Sequence, residues 1–110
     1  MEYRYKITTG KDTTKGIYPI QFNEILNLNP VQEECKYFVT ELTGNLQLNI
    51  STNLTYCFPG DIVIIILQAD DMNRAITYNK GIYNKESFVM NAYSKKVIQF
   101  IFDGFEWILN

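Results

Sequence analysis

Six consecutive apolar residues, Ile62-Val63-Ile64-Ile65-Ile66-Leu67, constrain this chain more than any other segment. They follow the turn Pro59-Gly60-Asp61 and run into the polar stretch Gln68 to Asn73. β-Branched side chains are stiff at χ1 and pack well on a pleated surface, so the run reads as a strand. Successive side chains point to opposite faces, and a strand apolar on both faces has to be covered on both. Val97 to Phe102 has the same two-sided character. Ile62, Ile64, Ile66, Ile98, Phe100 and Phe102 are therefore expected either in the core or in a contact between subunits. A sheet core needs such strands, and an uncovered one invites aggregation.

Shorter strands are predicted around these two. Cys35 to Leu42 is partly apolar on both faces, and Leu46, Leu48 and Ile50 alternate with Gln47, Asn49 and Ser51. Ala75 to Tyr78 and Ser87 to Met90 are brief strand patterns, and Asp103-Gly104 is a strong hairpin signal joining Val97–Phe102 to Glu106–Leu109. Gly44, Gly60 and Asp61 mark the other turns. About seven short strands with almost no helical periodicity predict an all-β fold, an antiparallel sandwich or jelly-roll-like barrel. The N-terminal part is less regular. Glu2 to Thr8 alternates weakly, Thr9 to Gly16 is polar, and Phe22, Ile25 and Leu26 fit one helical turn. Residues 1–34 are accordingly read as an irregular arm and residues 35–110 as the β module, within a single domain.

Size and composition agree. A chain of 110 residues, 46% hydrophobic and 20% charged, suits one globular domain, and its 15% aromatic content suits sheets. A net charge of −2 with scattered basic residues disfavours nucleic acid and anionic membrane as partners. No apolar run approaches the roughly 20 residues of a membrane-spanning helix, and Met1 to Lys6 does not resemble a secretory signal. A soluble protein made in a cytoplasm is expected. Cys35 and Cys57 match no metal or redox spacing and are read as two reduced, buried thiols.

Catalysis finds little support. The chain has no histidine, the usual activator of Ser and Cys nucleophiles and a frequent zinc ligand. The acid pairs Glu33-Glu34 and Asp70-Asp71 suit solvated turns or opposite strand faces better than a glycosidase pair. Asp70, Asp71 and Asn73 lack the glycine and terminal glutamate of an EF-hand loop. Gly10 to Gly16 departs from a phosphate loop, because Ile17 and Tyr18 follow its second glycine. The sequons at Asn49 and Asn53 are read as chance matches in an Asn-rich chain. No catalytic residue, cofactor or metal is expected.

One ordered series of motifs does speak to function. Thr43-Gly44-Asn45 leads into an alternating strand, Gly60-Asp61 into the strongly apolar strand, and Gln68 with Asp70-Asp71 into Arg74-Ala75-Ile76-Thr77. A final apolar strand closes on Asp103-Gly104-Phe105-Glu106-Trp107. This order resembles the small β module of tailed-phage tail-fibre, head-fibre and capsid-decoration proteins over roughly two thirds of the chain, departing from it after Gly81, where the Trp and Pro residues of that pattern are missing. The resemblance implies a non-enzymatic virion component, a homotrimer or other oligomer that contacts itself and other virion proteins. Asp103 and Gly104 would form the terminal hairpin, Trp107 would anchor the last strand in the core, and Arg74 would pair with Asp70 or Asp71. The segment Met1 to Glu34 is the expected attachment element. Two alternatives stand beside this reading: a carbohydrate- or receptor-binding module, with Tyr78, Tyr83 and Tyr93 as a stacking platform for a host surface glycan, and a small phage inhibitor of a host protein.

Overall fold

Strands form where the sequence alternates or runs apolar, and most of the turns between the later strands carry Gly, Asn or Asp. A computed structural model describes residues 17–110; the patterns read at Glu2 to Thr8 and Thr9 to Gly16 lie outside the described residues. The strands are β1 (Ile17–Ile20), β2 (Ile25–Leu28), β3 (Glu34–Val39), β4 (Leu46–Ile50), β5 (Ile62–Gln68), β6 (Arg74–Tyr78), β7 (Ser87–Met90), β8 (Lys95–Phe102) and β9 (Trp107–Leu109). No helix occurs among the described residues, so the all-β expectation holds.

The strands form two sheets, ordered β1-β3-β5-β8-β9 and β2-β4-β6-β7. From β1 to β6 the chain crosses between the sheets at every step. The ladders β1–β3, β3–β5, β2–β4 and β4–β6 are therefore parallel, and only β5–β8, β6–β7 and β8–β9 are antiparallel. This corrects the expected antiparallel sandwich. A parallel neighbour needs a crossover of a dozen or more residues, usually a helix. Here each crossover is a strand of the opposite sheet, an arrangement that leaves no helical period in the sequence.

The irregular arm is corrected as well. Ile25 to Leu28 is a strand rather than a helical turn, and Leu26 and Leu28 are buried in the core. β1 and β2 pair in register with β3 and β4, so the described part of the expected arm belongs to both sheets. Where β2 and β4 run in parallel, Asn27 and Asn49 lie side by side. The Asn49 amide donates to Asn27 Oδ1 at 2.9 Å, and Asn49 Oδ1 accepts the Lys80 N–H at 2.9 Å.

The core lies between the sheets. Val63, Ile65 and Leu67 of β5 and Ile98, Phe100 and Phe102 of β8 meet Leu48, Ile76 and Tyr78 of the other sheet. Tyr78 and Phe100 touch across the layers, edge to face, with ring centroids 5.4 Å apart. The expected hairpin forms at Asp103-Gly104: Asp103 Oδ1 accepts the N–H groups of Phe105 (2.7 Å) and Glu106 (2.8 Å), and Gly104 supplies φ 104°. At the β5 entrance Gly60 has φ 95°, and the Asp61 carboxylate accepts the Phe58 N–H at 2.9 Å. Gly44 packs against the Phe22 ring.

Candidate functional site

The two sheets differ most on the faces turned away from the core. Register brings residues of the five-stranded sheet into lateral rows that share one face. Ile64 aligns with Lys36 and Gln99, Ile66 with Phe38 and Val97, and Ile62 with Glu34 and Ile101. Since Val63, Ile65 and Leu67 point inward, these rows point outward. The outward row residues of β5 are all isoleucine and all partly exposed, Val97 is 62% exposed, and Ile108 of β9 extends the face. Of its charged residues, Lys36 and Glu34 pair with each other at 3.3 Å, and Lys95 stands beside Gln68 at the edge of the face. The corresponding face of the other sheet is mostly polar: Ile25 aligns with Gln47 and Thr77, and Asn27 with Asn49.

The expected strand residues therefore divide. Ile62, Ile64 and Ile66 lie on the outer face, whereas Ile98, Phe100 and Phe102 are core. From β8 the outer face takes Val97 and Ile101 instead. Two-sided apolar strands carry no sign of which parity faces inward, so the sequence could not make this division.

The expected anchors are in place. Trp107 is fully buried, stacks on Phe102 with centroids 5.0 Å apart, and donates its indole N–H to the Ser51 carbonyl at 2.9 Å. Arg74 clasps Asp70 rather than Asp71, with Nε to Oδ1 at 2.8 Å and Nη2 to Oδ2 at 2.6 Å. These bonds hold the Asp70 carboxyl below its usual range against the opposing effect of partial burial, and the Met72 N–H adds to them. A carboxyl with a depressed folded-state pKa contributes stability above its unfolded pKa, about 3.9, and loses it as pH falls through the folded value. Asp103 is shifted in the same direction by the Glu106 and Phe105 amides. Asp70→Asn is expected to flatten the acid limb of the stability profile between about pH 5 and pH 2, with the Asp103 contribution remaining. Urea midpoints across that range would check it; an unchanged slope would exclude the clasp as a source of stability.

Tyr78, Tyr83 and Tyr93 do not share a platform, which corrects the expected stacking surface. Tyr78 is only 3% exposed, and burial followed by the nearby Glu86 pushes its phenol up to about 12. Tyr83 (64% exposed) lies between β6 and β7, at the end of the sandwich where β4, β6 and β8 finish. Tyr93 (75% exposed) lies between β7 and β8, at the opposite end. A cleft of about 570 Å³ opens where β7 and β8 face each other, with Tyr78, Phe88 and Ile98 among its lining. The Lys96 ammonium, 5.2 Å from the Phe88 ring centroid, partly fills it.

Cys35 and Cys57 are both buried and are not joined in a disulfide. Their sulfurs sit near backbone carbonyls, Cys35 by Gln32 at 3.8 Å and Cys57 by Ser51 at 3.4 Å. Burial, reinforced by Cys35, raises the Tyr37 phenol far above its ordinary value. Among the described residues no group of three or more Cys, Asp or Glu is placed to hold a metal ion, and no helix is long and apolar enough to cross a membrane.

No protein-family model matches the chain, and no curated protein does. Among solved structures, a chain from the structure of a chaperone-substrate complex is similar over 84% of this chain, at 20% identity and a TM-score of 0.50. The matched stretch spans 15% of that longer chain. At this identity the likeness concerns the fold alone.

Proposed function

We propose that this chain is a non-enzymatic structural component of a tailed-phage virion, a head-fibre, capsid-decoration or tail-fibre part that self-associates and docks on the particle. The observation that carries this reading is the contrast between the two outer faces, one mostly polar and one carrying an isoleucine strip along β5 flanked by Phe38, Val97 and Ile101. Soluble monomers rarely leave a contiguous apolar patch larger than a few hundred Å² open to water. A building block that is covered after assembly has reason to carry one. The motif series ending in Asp103-Gly104-Phe105-Glu106-Trp107 supports the same reading and implies a homotrimer. The chemistry required is burial of apolar surface, with no cofactor, and the loops at both ends remain free for contacts with capsid, fibre or host.

The test is location. Antibody raised against the protein is expected to label intact phage particles in electron micrographs, and the protein to co-purify with them through a density gradient. Recovery only in the soluble fraction of the lysate would overturn the assignment.

A further inference from the structure

We infer that the outer face of the five-stranded sheet packs against the same face of a second copy of this chain, with the twofold axis running along the strands. The inference rests on the proposed self-association and specifies its surface and geometry.

The charge pattern favours a second copy as the occupant, and the area sets the strength of the contact. The five strands hold 28 residues, each covering about 4.8 by 3.3 Å, a face of roughly 440 Å². Two such faces bury on the order of 900 Å², the size of a weak, reversible contact. In the three isoleucine rows Glu34 neutralises Lys36 at 3.3 Å, and the further charge on this face, Lys95 beside Gln68 at the end of β5, lies over the second copy's β3 side rather than over its own copy when the axis runs along the strands. The face can therefore meet its own image without net repulsion, burying apolar surface as sheets do when they stack about 10 Å apart.

The same residues choose between the two ways of stacking. β5 is the middle strand, and Ile64 is the middle of its three outward isoleucines, with the polar Gln68–Lys95 row beyond Ile66. A twofold axis across the strands would place each strand over its own copy, so Lys36 would face the second copy's Lys36 in a drying interface, a costly like-charge contact. An axis along the strands places β3 over the second copy's β8. Lys36 then faces Gln99, Phe38 faces Val97, and Ile64 meets Ile64. This contact gives an even number of chains, two by itself or six where it combines with the threefold axis that the motif resemblance implies.

Gln99→Glu separates the alternatives by sign. With the axis along the strands the introduced carboxylate faces Lys36 twice per dimer, and self-association, measured by sedimentation equilibrium, is expected to tighten about tenfold. With the axis across the strands it faces its own copy, and association weakens. Val97→Lys is expected to abolish association while circular dichroism stays unchanged, and Ile25→Lys, on the polar sheet, to leave it intact. Weaker or unchanged association of Gln99→Glu overturns the geometry. Loss of association in Ile25→Lys but not in Val97→Lys overturns the surface. A wild-type protein that stays monomeric at high concentration overturns the second copy as occupant and the proposed self-association with it, while the place of the chain on the particle is decided separately by particle labelling.

Discussion

Gly81→Ala is expected to leave the protein largely unfolded. Gly81 has φ 81°, and a Cβ built there would lie 1.8 Å from the Ile50 carbonyl oxygen and 2.9 Å from the carbonyl carbon. Those atoms are backbone at the end of β4 and are held in place: the Ile50 N–H donates to Lys80 O at 2.9 Å, and the Gly81 carbonyl accepts the Trp107 N–H at 2.8 Å. The overlap cannot be relieved by a rotamer change and has to push the strand ends apart. The left-handed conformation alone costs a non-glycine residue about 1–2 kcal/mol. With the displaced backbone the loss is expected to reach about 4 kcal/mol or more, a large share of the roughly 5–15 kcal/mol that holds a domain together. Gly60→Ala is the control. Its φ of 95° is equally unfavourable, but nothing lies within 4 Å of the added Cβ, so only the backbone term of about 1–2 kcal/mol should appear. Urea denaturation followed by circular dichroism compares the two; equal losses would show that the close approach at Ile50 is unimportant.

Trp107→Ala is expected to cost about 3–5 kcal/mol, the range for deleting a buried large aromatic side chain. Trp107 opens β9 in one sheet while its indole N–H reaches the Ser51 carbonyl beyond β4 of the other. Its own carbonyl accepts the Tyr83 N–H at 2.9 Å. One residue thus ties the terminal hairpin to the loops after β4 and β6. Trp107→Phe keeps most of the apolar volume and leaves Ser51 O without that donor, so a smaller loss of about 1–2 kcal/mol is expected. Trp107 is the sole tryptophan, so wild-type unfolding can be followed by its fluorescence and the variants by circular dichroism. A loss below about 1 kcal/mol in Trp107→Ala would mean that the hairpin does not depend on this anchor. Such a result would also weaken the virion reading, which requires a sandwich rigid enough to present its outer face as a flat surface.

Both residues stand where turn chemistry meets long-range packing, and they differ in how far the sequence exposed them. Trp107 was legible as an anchor because a lone tryptophan follows a strong Asp-Gly hairpin signal after an apolar strand. Gly81 was legible only as the end of a strand. Its need for glycine comes from the Ile50 carbonyl, a neighbour 31 positions earlier in the chain that only the parallel path from β4 to β6 brings close. The same limit applies to Tyr83 and Tyr93. As exposed aromatics they suggested a shared stacking surface, but β7 lies between them and carries them to opposite ends of the sandwich.

The residues alone determined the all-β class, the positions of β4 to β9 to within a residue or two, the terminal hairpin and an ion pair of Arg74 with one of the two acids Asp70 and Asp71. Each depends on signals close in the chain: alternation, β-branched runs, turn residues and nearby charges. Tertiary structure decided what such signals cannot encode. It made the early ladders parallel, drew Ile17 to Leu28 into the sheets, and turned Ile62, Ile64 and Ile66 outward while Ile98, Phe100 and Phe102 closed the core. A strand that is apolar on both faces satisfies its local pattern in either orientation, and only packing against the second sheet selects which face is buried.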